Sequence, residues 1–473
     1  MKSKVRSFAP FSIKDKVGYL FGDFGNDFTF LLSSSFLLKF YTDIMGVSAG
    51  IVGIIMMLAR FIDAFTDVAM GRICDRGKVS KAGKFKPWIL RMCGPVAISS
   101  FLIYQSVFAD YALWFKVLWL FVTYILWGSI FYTSINIPYG SMSSTISPEP
   151  GDRQSLSTYR TMGSTLAGVI IGVGVPLLAY ETVGGLTRLN GFKFTVIAGV
   201  FSVLAVICYL LCYFLVTERV HPELHHQAEQ NSIGKMLHGA VRNRALLSII
   251  AASVLMLLSQ LTIQSMSNYV FPNYYNNASA QSVSTLTMMV GMLVAAGVAK
   301  PISRLIGKAE ISVISTLLAS GVSVLLFFVR PESVWVYIGF NFISWLGLGI
   351  FSMVSWALIT DVIDYSEVRF GKREDGTIYA MYSFARKLGQ GASAGLTGLL
   401  LEIIGYSQSS AFNPEVLTGI YNISTILPAI GFLLLGLILW FWYPLHKKEV
   451  LENVAILRER REEKLKKLDT GEG

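Results

Sequence analysis

Charged residues are scarce in this chain: Asp, Glu, Lys and Arg make up 15% of its 473 residues, whereas apolar residues make up 53%. An average soluble domain carries about 25% charged residues. This shortage excludes a disordered or fibrous chain and argues against a soluble enzyme. Cysteine is scarce too, with four residues and no Cys-x-x-Cys pair, so neither a disulfide framework nor a zinc or redox motif is indicated.

Apolar runs of about 20 residues, each long enough to cross a bilayer, fill most of the chain. We find twelve, which predict an all-α membrane protein with twelve transmembrane helices. They lie at 18–42, 47–71, 90–109, 113–142, 157–181, 192–217, 244–271, 280–306, 309–329, 333–363, 377–404 and 417–445. A polar stretch at mid-chain divides them six and six, a repeat of the kind from which many transporters are built. The predicted divisions are 1–217, a cytoplasmic loop at 218–243, 244–445 and a charged tail at 446–473.

The positive charges are unevenly distributed between the two sides of this arrangement. With a cytoplasmic N-terminus, 32 of the 40 Lys and Arg fall in cytoplasmic segments and four in the opposite loops. This asymmetry follows the positive-inside rule and predicts that both termini are cytoplasmic. It also accounts for the net charge of +10 without a nucleic-acid partner, so the expected surroundings are the lipid bilayer.

Ionisable residues lie inside several runs, where a charge costs roughly 2.5–3.5 kcal/mol at the bilayer centre. Such residues need a partner, a water-filled cavity or an ion. The acids are Asp23, Asp27, Asp63 and Asp67, and the bases are Arg60, Arg386 and Lys387. Lys39 also lies inside a run.

The buried acids come in pairs with helical spacing. Asp63 and Asp67 are four residues apart and project from one helix face, and Asp23 and Asp27 repeat the spacing. At 1.5 Å per residue, Asp27 lies about 13 Å and Asp63 about 12 Å above the cytoplasmic ends of their helices. The same count brings into this layer Tyr132, Thr133, Asn136 and Lys387. A polar layer drawn from distant helices favours a functional cavity over a purely structural network.

The chemistry of this layer suits a hard cation and a sugar. Carboxylates and hydroxyls without His or Cys favour such a cation, and Asp27, Asp63, Asp67 and Thr133 could hold Na⁺ or a proton. The planar, charged and aromatic groups that suit a sugar include Tyr132, Asn136, Arg160, Lys387 and Trp356. Neither a phosphate-binding loop nor a nucleophile–base pair is visible, so the sequence indicates no enzyme and no cofactor beyond a coupling ion.

Several short motifs resemble one family. They are Phe21–Phe28, Phe40–Asp43, Ala59–Asp67, Gly83–Trp88, Asn136–Ser141, Asp361–Tyr365 and Arg386–Lys387. Together they resemble the glycoside–pentoside–hexuronide:cation symporters, a branch of the major facilitator superfamily that includes the melibiose and glucuronide carriers. The resemblance extends from about residue 18 to 445. It implies two pseudo-symmetric six-helix bundles around a central cavity, alternating access, and a monomeric, multi-pass protein of a bacterial inner membrane.

The resemblance also implies where the coupling ion binds. Asp63 and Asp67 match the family's cation-binding acids, and Thr133 matches a hydroxyl that joins them in melibiose-type carriers. These residues imply an H⁺ or Na⁺ site. The first half of the chain, 1–217, would hold it.

The implied sugar site draws on both halves. Asp27 and Arg160 match positions that hold the sugar, Lys387 and Tyr132 match residues of the same cavity, and Asp23 lies one turn before Asp27. Two positions depart from the melibiose pattern. Asn136 replaces an aspartate and Gly140 replaces a tryptophan, and both resemble the glucuronide-type branch.

These departures favour an acidic substrate. Neutral Asn136 would not repel an anionic sugar, and the Arg386 guanidinium beside Lys387 is well shaped for a carboxylate or sulfonate. Gly140 leaves room for a larger sugar or an aglycone. We therefore expect symport of a glycoside, in particular a glucuronide or sulfonated sugar. The alternatives are neutral β-glycosides or pentosides, a lysolipid carrier, and a sugar sensor that does not transport.

A gating role is expected for charges near the cytoplasmic ends of helices. Asp75 and Arg76 resemble the loop motif that the superfamily carries between its second and third helices. Asp361 and Asp364 lie where the tenth and eleventh helices meet. We expect ion pairs between the bundles at these residues to hold the cytoplasmic side shut.

Overall fold

The fold is almost entirely helical. The computed structural model describes residues 10–77, 79–80, 82–219, 243–371 and 375–469. The first seven α-helices there are α1 (Ile13–Asp43), α2 (Ala49–Arg76), α3 (Lys86–Ile103), α4 (Leu113–Ile125), α5 (Thr133–Ile146), α6 (Pro150–Leu178) and α7 (Gly191–Leu215). The others are α8 (Arg244–Tyr269), α9 (Ser279–Ile306), α10 (Lys308–Val329), α11 (Val334–Phe370), α12 (Asp375–Ile403), α13 (Pro414–Leu437) and α14 (Lys447–Asp469).

Each of the twelve predicted apolar runs overlaps a helix. Within the described residues, ten helices are long and apolar enough to cross a membrane, and α4 and α5 form one of them as Leu113–Ile146. Three other long helices, α1, α12 and α14, are not among the ten, and α1 buries Asp15, Asp23, Asp27 and Lys39 along its length. The all-α membrane fold is confirmed, whereas the number twelve stays a prediction.

Helix starts follow from capping residues in the sequence. At the start of α1, the Asp15 carboxylate accepts a hydrogen bond from the Ser12 backbone N–H over 3.0 Å. Asn190 caps α7 by accepting the Lys193 backbone N–H over 2.9 Å. Such caps satisfy N–H groups that lack partners in the first turn of a helix.

Three helices continue through π-helical turns: Leu126–Tyr132 between α4 and α5, Val270–Tyr274 after α8 and Ile438–Trp442 after α13. A π-helical turn holds one more residue than an α-helical turn and often marks a functional site. The first two of these turns carry residues of the sites described below.

A short β-hairpin joins α6 to α7, an element that the sequence analysis does not anticipate. Strands β1 (Tyr180–Val183) and β2 (Leu186–Leu189) pair antiparallel, with Tyr180 opposite Leu189. Gly184 and Gly185 connect them at φ of 60° and 80°. Glycine reaches this left-handed region without the steric cost other residues meet, so the Gly-Gly pair explains the tight turn.

The described residues form two compact units. The first comprises those before Ala228 together with Ser267–Thr285 and Ala394–Thr418. The second comprises those of Glu229–Met266, Leu286–Ser393 and Gly419–Gly473. The first unit thus includes segments of the predicted second half, and the predicted division of the chain into halves stays a prediction. Most of the predicted central loop, 220–242, lies outside the described residues.

Each unit has its own packing. In the first, α1 packs against α6 and α7, and α3 packs against α7. In the second, α10 packs against α11, and α14 packs along α11. The buried core of the second unit includes Trp345, Phe351, Tyr382 and Phe432. The packing of the first unit brings α1, α2, α5 and α6 together around its polar residues.

Candidate functional site

Asp63 on α2 lies between a guanidinium and a hydroxyl, and all three groups belong to the first unit. The Arg60 guanidinium donates to Asp63 Oδ2 over 3.2 Å, and the Ser129 hydroxyl donates to Asp63 Oδ1 over 2.5 Å. The Arg60 guanidinium also lies 4.9 Å from the Phe30 ring centroid. Both carboxylate oxygens of Asp63 therefore have donors, and its charge is balanced by Arg60.

Asp67, one turn along α2, has a second hydroxyl. The Thr133 hydroxyl lies 3.0 Å from Asp67 Oδ1 and 3.2 Å from the Gly128 carbonyl oxygen. The structure thus gathers two carboxylates, two hydroxyls and a backbone carbonyl at one place in the first unit. These are hard oxygen donors of the kind that suit Na⁺ or a proton.

Ser129 and Thr133 reach this place from the π-helical turn and from the start of α5. Leu126–Tyr132 carries Ser129 on its inner side, buried at 2% exposure, and α5 begins with Thr133. Counting the rise per residue places Thr133 in the polar layer, whereas Ser129 lies about 6 Å, or one helical turn, beyond it and is not selected.

On α1, Asp23 pairs with Arg160 of α6. Arg160 Nε lies 3.0 Å from Asp23 Oδ1, and the guanidinium lies 5.4 Å from the Tyr139 ring centroid. A Cβ at Gly140 would lie 3.8 Å from an Arg160 guanidinium nitrogen, in ordinary contact. Arg160 keeps 40% of its side chain exposed, so its remaining donors can still reach a ligand.

An amide pair completes this part of the first unit. Asn26 Nδ2 donates to Asn136 Oδ1 over 3.4 Å, and the Tyr209 hydroxyl donates to Asn26 Oδ1 over 2.9 Å. Asp27 is buried at 8% exposure, and its electrostatic neighbours include Asp23 and Arg160. Tyr132 is half-buried and stacks on Phe30 with centroids 5.6 Å apart.

The remaining predicted sugar residues lie in the second unit. The Arg386 guanidinium lies 5.6 Å from the Trp356 ring centroid and 5.7 Å from that of Tyr382. Trp356 keeps 41% of its surface exposed, whereas Tyr382 is fully buried and accepts a hydrogen bond from Ser253 over 3.0 Å. Lys387 is half-buried. Cation–π contacts with these two rings hold the guanidinium of Arg386, a residue of α12, in position.

The predicted gating residues differ in burial. Asp361 is buried at 6% exposure and forms an ion pair of 2.5 Å with Lys308, a residue of its own unit. Asp364 is half-buried and Arg76 is exposed. The side chain of Asp75 lies outside the described part of the chain. The expected pairing between bundles stays a prediction.

A second charged site, which the sequence analysis does not predict, lies near the far end of α1. The Lys39 side chain is 1% exposed, and its Nζ lies 2.7 Å from Asp43 Oδ2, 2.6 Å from Asn273 Oδ1 and 2.8 Å from the Tyr406 hydroxyl. Its Nζ also lies 4.4 Å from the Tyr269 ring centroid. We call these five residues the Lys39 cluster. The one available signal was the spacing of Lys39 and Asp43, which allows a pair on one helix face.

Metal sites of the thiolate or imidazole kind are not found where the structure can be described. Within those residues, no group of three or more His, Cys, Asp or Glu could hold a metal ion. The oxygen donors around Asp63 and Asp67 include only two acids. They fit a monovalent ion rather than a transition metal.

Curated relatives of the chain are bacterial carriers. A "glucuronide carrier protein homolog" of Escherichia coli K12 is 29% identical over 446 residues, covering 94% of this chain and 95% of the relative. A "putative sulfoquinovose importer" of Salmonella typhimurium is 28% identical, covering 94% of this chain and 93% of the relative. These relatives confirm the resemblance to the glycoside–pentoside–hexuronide:cation symporters.

A solved structure shares the fold. The crystal structure of a D-xylose–proton symporter matches with a TM-score of 0.62 at 12% identity, covering 91% of this chain and 97% of the other. The chain is therefore a multi-pass membrane transporter of the major facilitator fold and not an enzyme. Residues 18–447 match the family model described as MFS/sugar transport protein, and the chain belongs to that family.

Proposed function

We propose that the protein is a cation-coupled symporter that imports an acidic glycoside, such as a glucuronide or a sulfonated sugar. The set of oxygen donors around Asp63 and Asp67 is the observation that supports cation coupling. Two carboxylates and two hydroxyls supply hard oxygen donors there, which suit a monovalent cation. The bound ion is Na⁺ or H⁺.

The acidic substrate is supported by charge. Asn136 is a neutral amide held by Asn26, so the position offers no carboxylate to repel an anion. Arg160 and Arg386 supply guanidinium groups, and each lies against an aromatic ring, Tyr139 and Trp356 respectively. The names of the two relatives, a glucuronide carrier homolog and a putative sulfoquinovose importer, both refer to anionic sugars.

Neutral glycosides are the second candidate. Asp23 already neutralises Arg160, so this pair offers an anion no uncompensated positive charge. Neutral β-glycosides and pentosides would need only the hydrogen-bonding and aromatic groups. The choice therefore depends on what Arg386 contributes.

The proposal also includes the cellular location of the protein and the residues that would bind the sugar and the ion. The protein would act as a monomer in a bacterial inner membrane, with both termini cytoplasmic. Asp23, Asp27, Tyr132, Asn136, Gly140 and Arg160 would contact the sugar from the first half, and Trp356, Arg386 and Lys387 from the second. Asp63, Asp67 and Thr133 would hold the ion, with Ser129 added.

Counterflow in proteoliposomes tests the proposal. Vesicles preloaded with glucuronide, sulfoquinovoside, melibiose or xyloside are diluted into labelled substrate, with and without Na⁺ and at two pH values. We expect exchange of the acidic sugars and uphill uptake driven by a Na⁺ or H⁺ gradient. Exchange of neutral sugars alone would disprove the acidic substrate, and uptake that no gradient drives would disprove symport.

A further inference from the structure

Lys39 is a fully buried lysine that the proposed ion and sugar sites do not use. It lies about 39 Å along α1 from the start of that helix. A buried cation is costly unless it is paired and its donors are satisfied. Asp43, Asn273 and Tyr406 meet these needs at 2.6–2.8 Å, and the Tyr269 ring covers the ammonium.

The partners of Lys39 come from distant parts of the sequence. Asn273 lies in the π-turn after α8, 234 residues away, and Tyr406 follows α12, 367 residues away. The Tyr406 hydroxyl also donates to Asp43 Oδ1 over 2.7 Å, so it connects to both charges of the ion pair. The cluster thus ties two segments of the second half to α1, all within the first unit.

The charged partner of Lys39 and its neutral partners lie on different segments, and this arrangement would allow the segments to separate repeatedly. The charged partner, Asp43, lies on α1 itself and stays with Lys39 when the other segments move. The partners on those segments, Asn273, Tyr406 and Tyr269, are neutral. Separation therefore exchanges neutral hydrogen bonds for bonds to water, and it never strands a buried ion without its counter-ion.

Closely packed contacts extend from the cluster over the same segments. Asn268 Nδ2 donates to the Ser35 carbonyl over 2.6 Å, and the Ser282 hydroxyl donates to the Val173 carbonyl over 2.8 Å. On α2 and α12, Gly53 and Gly398 face each other so closely that a Cβ on Gly398 would lie 2.8 Å from Gly53 Cα. These contacts pack the second-half segments directly against α1, α2 and α6.

We propose that the Lys39 cluster is a releasable latch that closes the end of the transport path at the far end of α1. In the opposite state of the transport cycle, Asn273 and Tyr406 leave Lys39, and the Lys39–Asp43 pair remains on α1. This inference rests on the proposed function, because a latch of this kind is needed only if the path opens alternately at its two ends.

The test is the reaction rate of a buried reporter thiol. Ser282→Cys places a thiol at a position that is 4% exposed and packed on α6, while the four native cysteines are buried. Purified protein in nanodiscs reacts with a maleimide, and Tyr406→Phe or Asn273→Ala is added to the reporter background. Because each change removes a hydrogen bond to a charged group, we expect the open population and the labelling rate to rise about tenfold.

Tyr41→Phe is the matched control. Tyr41 is equally buried on α1, and its hydroxyl donates to the Ile103 carbonyl over 2.9 Å, away from the cluster. We expect no change of rate in this variant. Equal rates in Tyr406→Phe and the unmodified reporter background would overturn the latch, and so would an equal rise in Tyr41→Phe, because that would indicate general loosening.

Cation-driven uptake by the wild type is measured in parallel. Absence of uptake would disprove the proposed function, even if the labelling rates followed the expected order. Coupled uptake together with unchanged labelling rates would disprove the latch alone.

Discussion

The hydroxyl of Ser129 donates a hydrogen bond to Asp63 Oδ1 over 2.5 Å, across the interface of the π-turn and α2. This contact makes Ser129 a candidate ligand of the coupling ion. A hydroxyl that donates its proton to a carboxylate still offers lone pairs to a cation. Ser129 should therefore contribute to ion affinity beyond holding Asp63.

Ser129→Ala should weaken the coupling ion's apparent affinity about tenfold, since a hydrogen bond to a charged group contributes roughly 1.5–3 kcal/mol. The measurement is the Na⁺ and pH dependence of sugar counterflow. Ser129→Thr should recover most of the affinity. Ser144→Ala, at an exposed hydroxyl on α5, is the control, and an equal loss there would contradict the assignment.

Asp63→Asn should abolish uphill accumulation while exchange at equal concentrations survives, because the amide keeps the size of the carboxylate but loses its charge. Uptake against a gradient and counterflow are compared in the same vesicles. Asp110→Asn, at an exposed acid, should behave as the wild type. Continued accumulation by Asp63→Asn would show that coupling lies elsewhere.

Asn136→Asp should lower the affinity for an acidic sugar at least about tenfold, because a carboxylate beside Asn26 repels an anion in a low-dielectric cavity. Competition of transport by a glucuronide and by melibiose provides an internal control. The neutral sugar should be affected less. Full affinity for the glucuronide in the variant would rule out an anionic group near this position.

Exchanging the charges of Asp75 and Arg76 should change which side of the membrane reaches the central cavity, if these residues join ion pairs that hold the cytoplasmic side shut. Accessibility of a cavity cysteine to impermeant reagents from each side is the measurement. If the swapped variant and the wild type are labelled equally from each side, these charges have a role only in membrane topology.

The Tyr406 hydroxyl should remain a hydrogen-bond donor in the Lys39 cluster across the neutral pH range. Burial, followed by the nearby Asp43 charge, raises the pKa of the Tyr406 hydroxyl well above its usual range. The ordinary value is about 10, so the hydroxyl keeps its proton below pH 9 whether the loop that carries it is closed or open. After correction for thiol ionisation, titration of Tyr406 should therefore not change the labelling rate of Ser282→Cys from about pH 6 to 9. A steep rise within that range that Tyr406→Phe abolishes would contradict the assignment of Tyr406 as a lasting donor.

The residues of the proposed ion site could largely be predicted from the sequence, because its acids lie on one helix. Asp63 and Asp67 share a face by simple spacing, and the structure places Thr133 beside Asp67. Ser129 was not selected, because the rise per residue places it about one helical turn beyond the polar layer that contains Thr133. The Lys39 cluster was hidden for another reason: Asn273 and Tyr406 are ordinary polar residues, and only the folded chain brings them to Lys39.

The pairing of Lys39 with Asp43 also bears on how the protein is made. The chain is synthesised from its N-terminus, so α1 reaches the membrane long before residues 273 and 406 leave the ribosome. During that interval the lysine has none of its distant partners, yet its counter-ion already lies one turn along the same helix. The lysine of α1 therefore has its counter-ion during membrane insertion. The later segments then pack around an ion pair that is already in place.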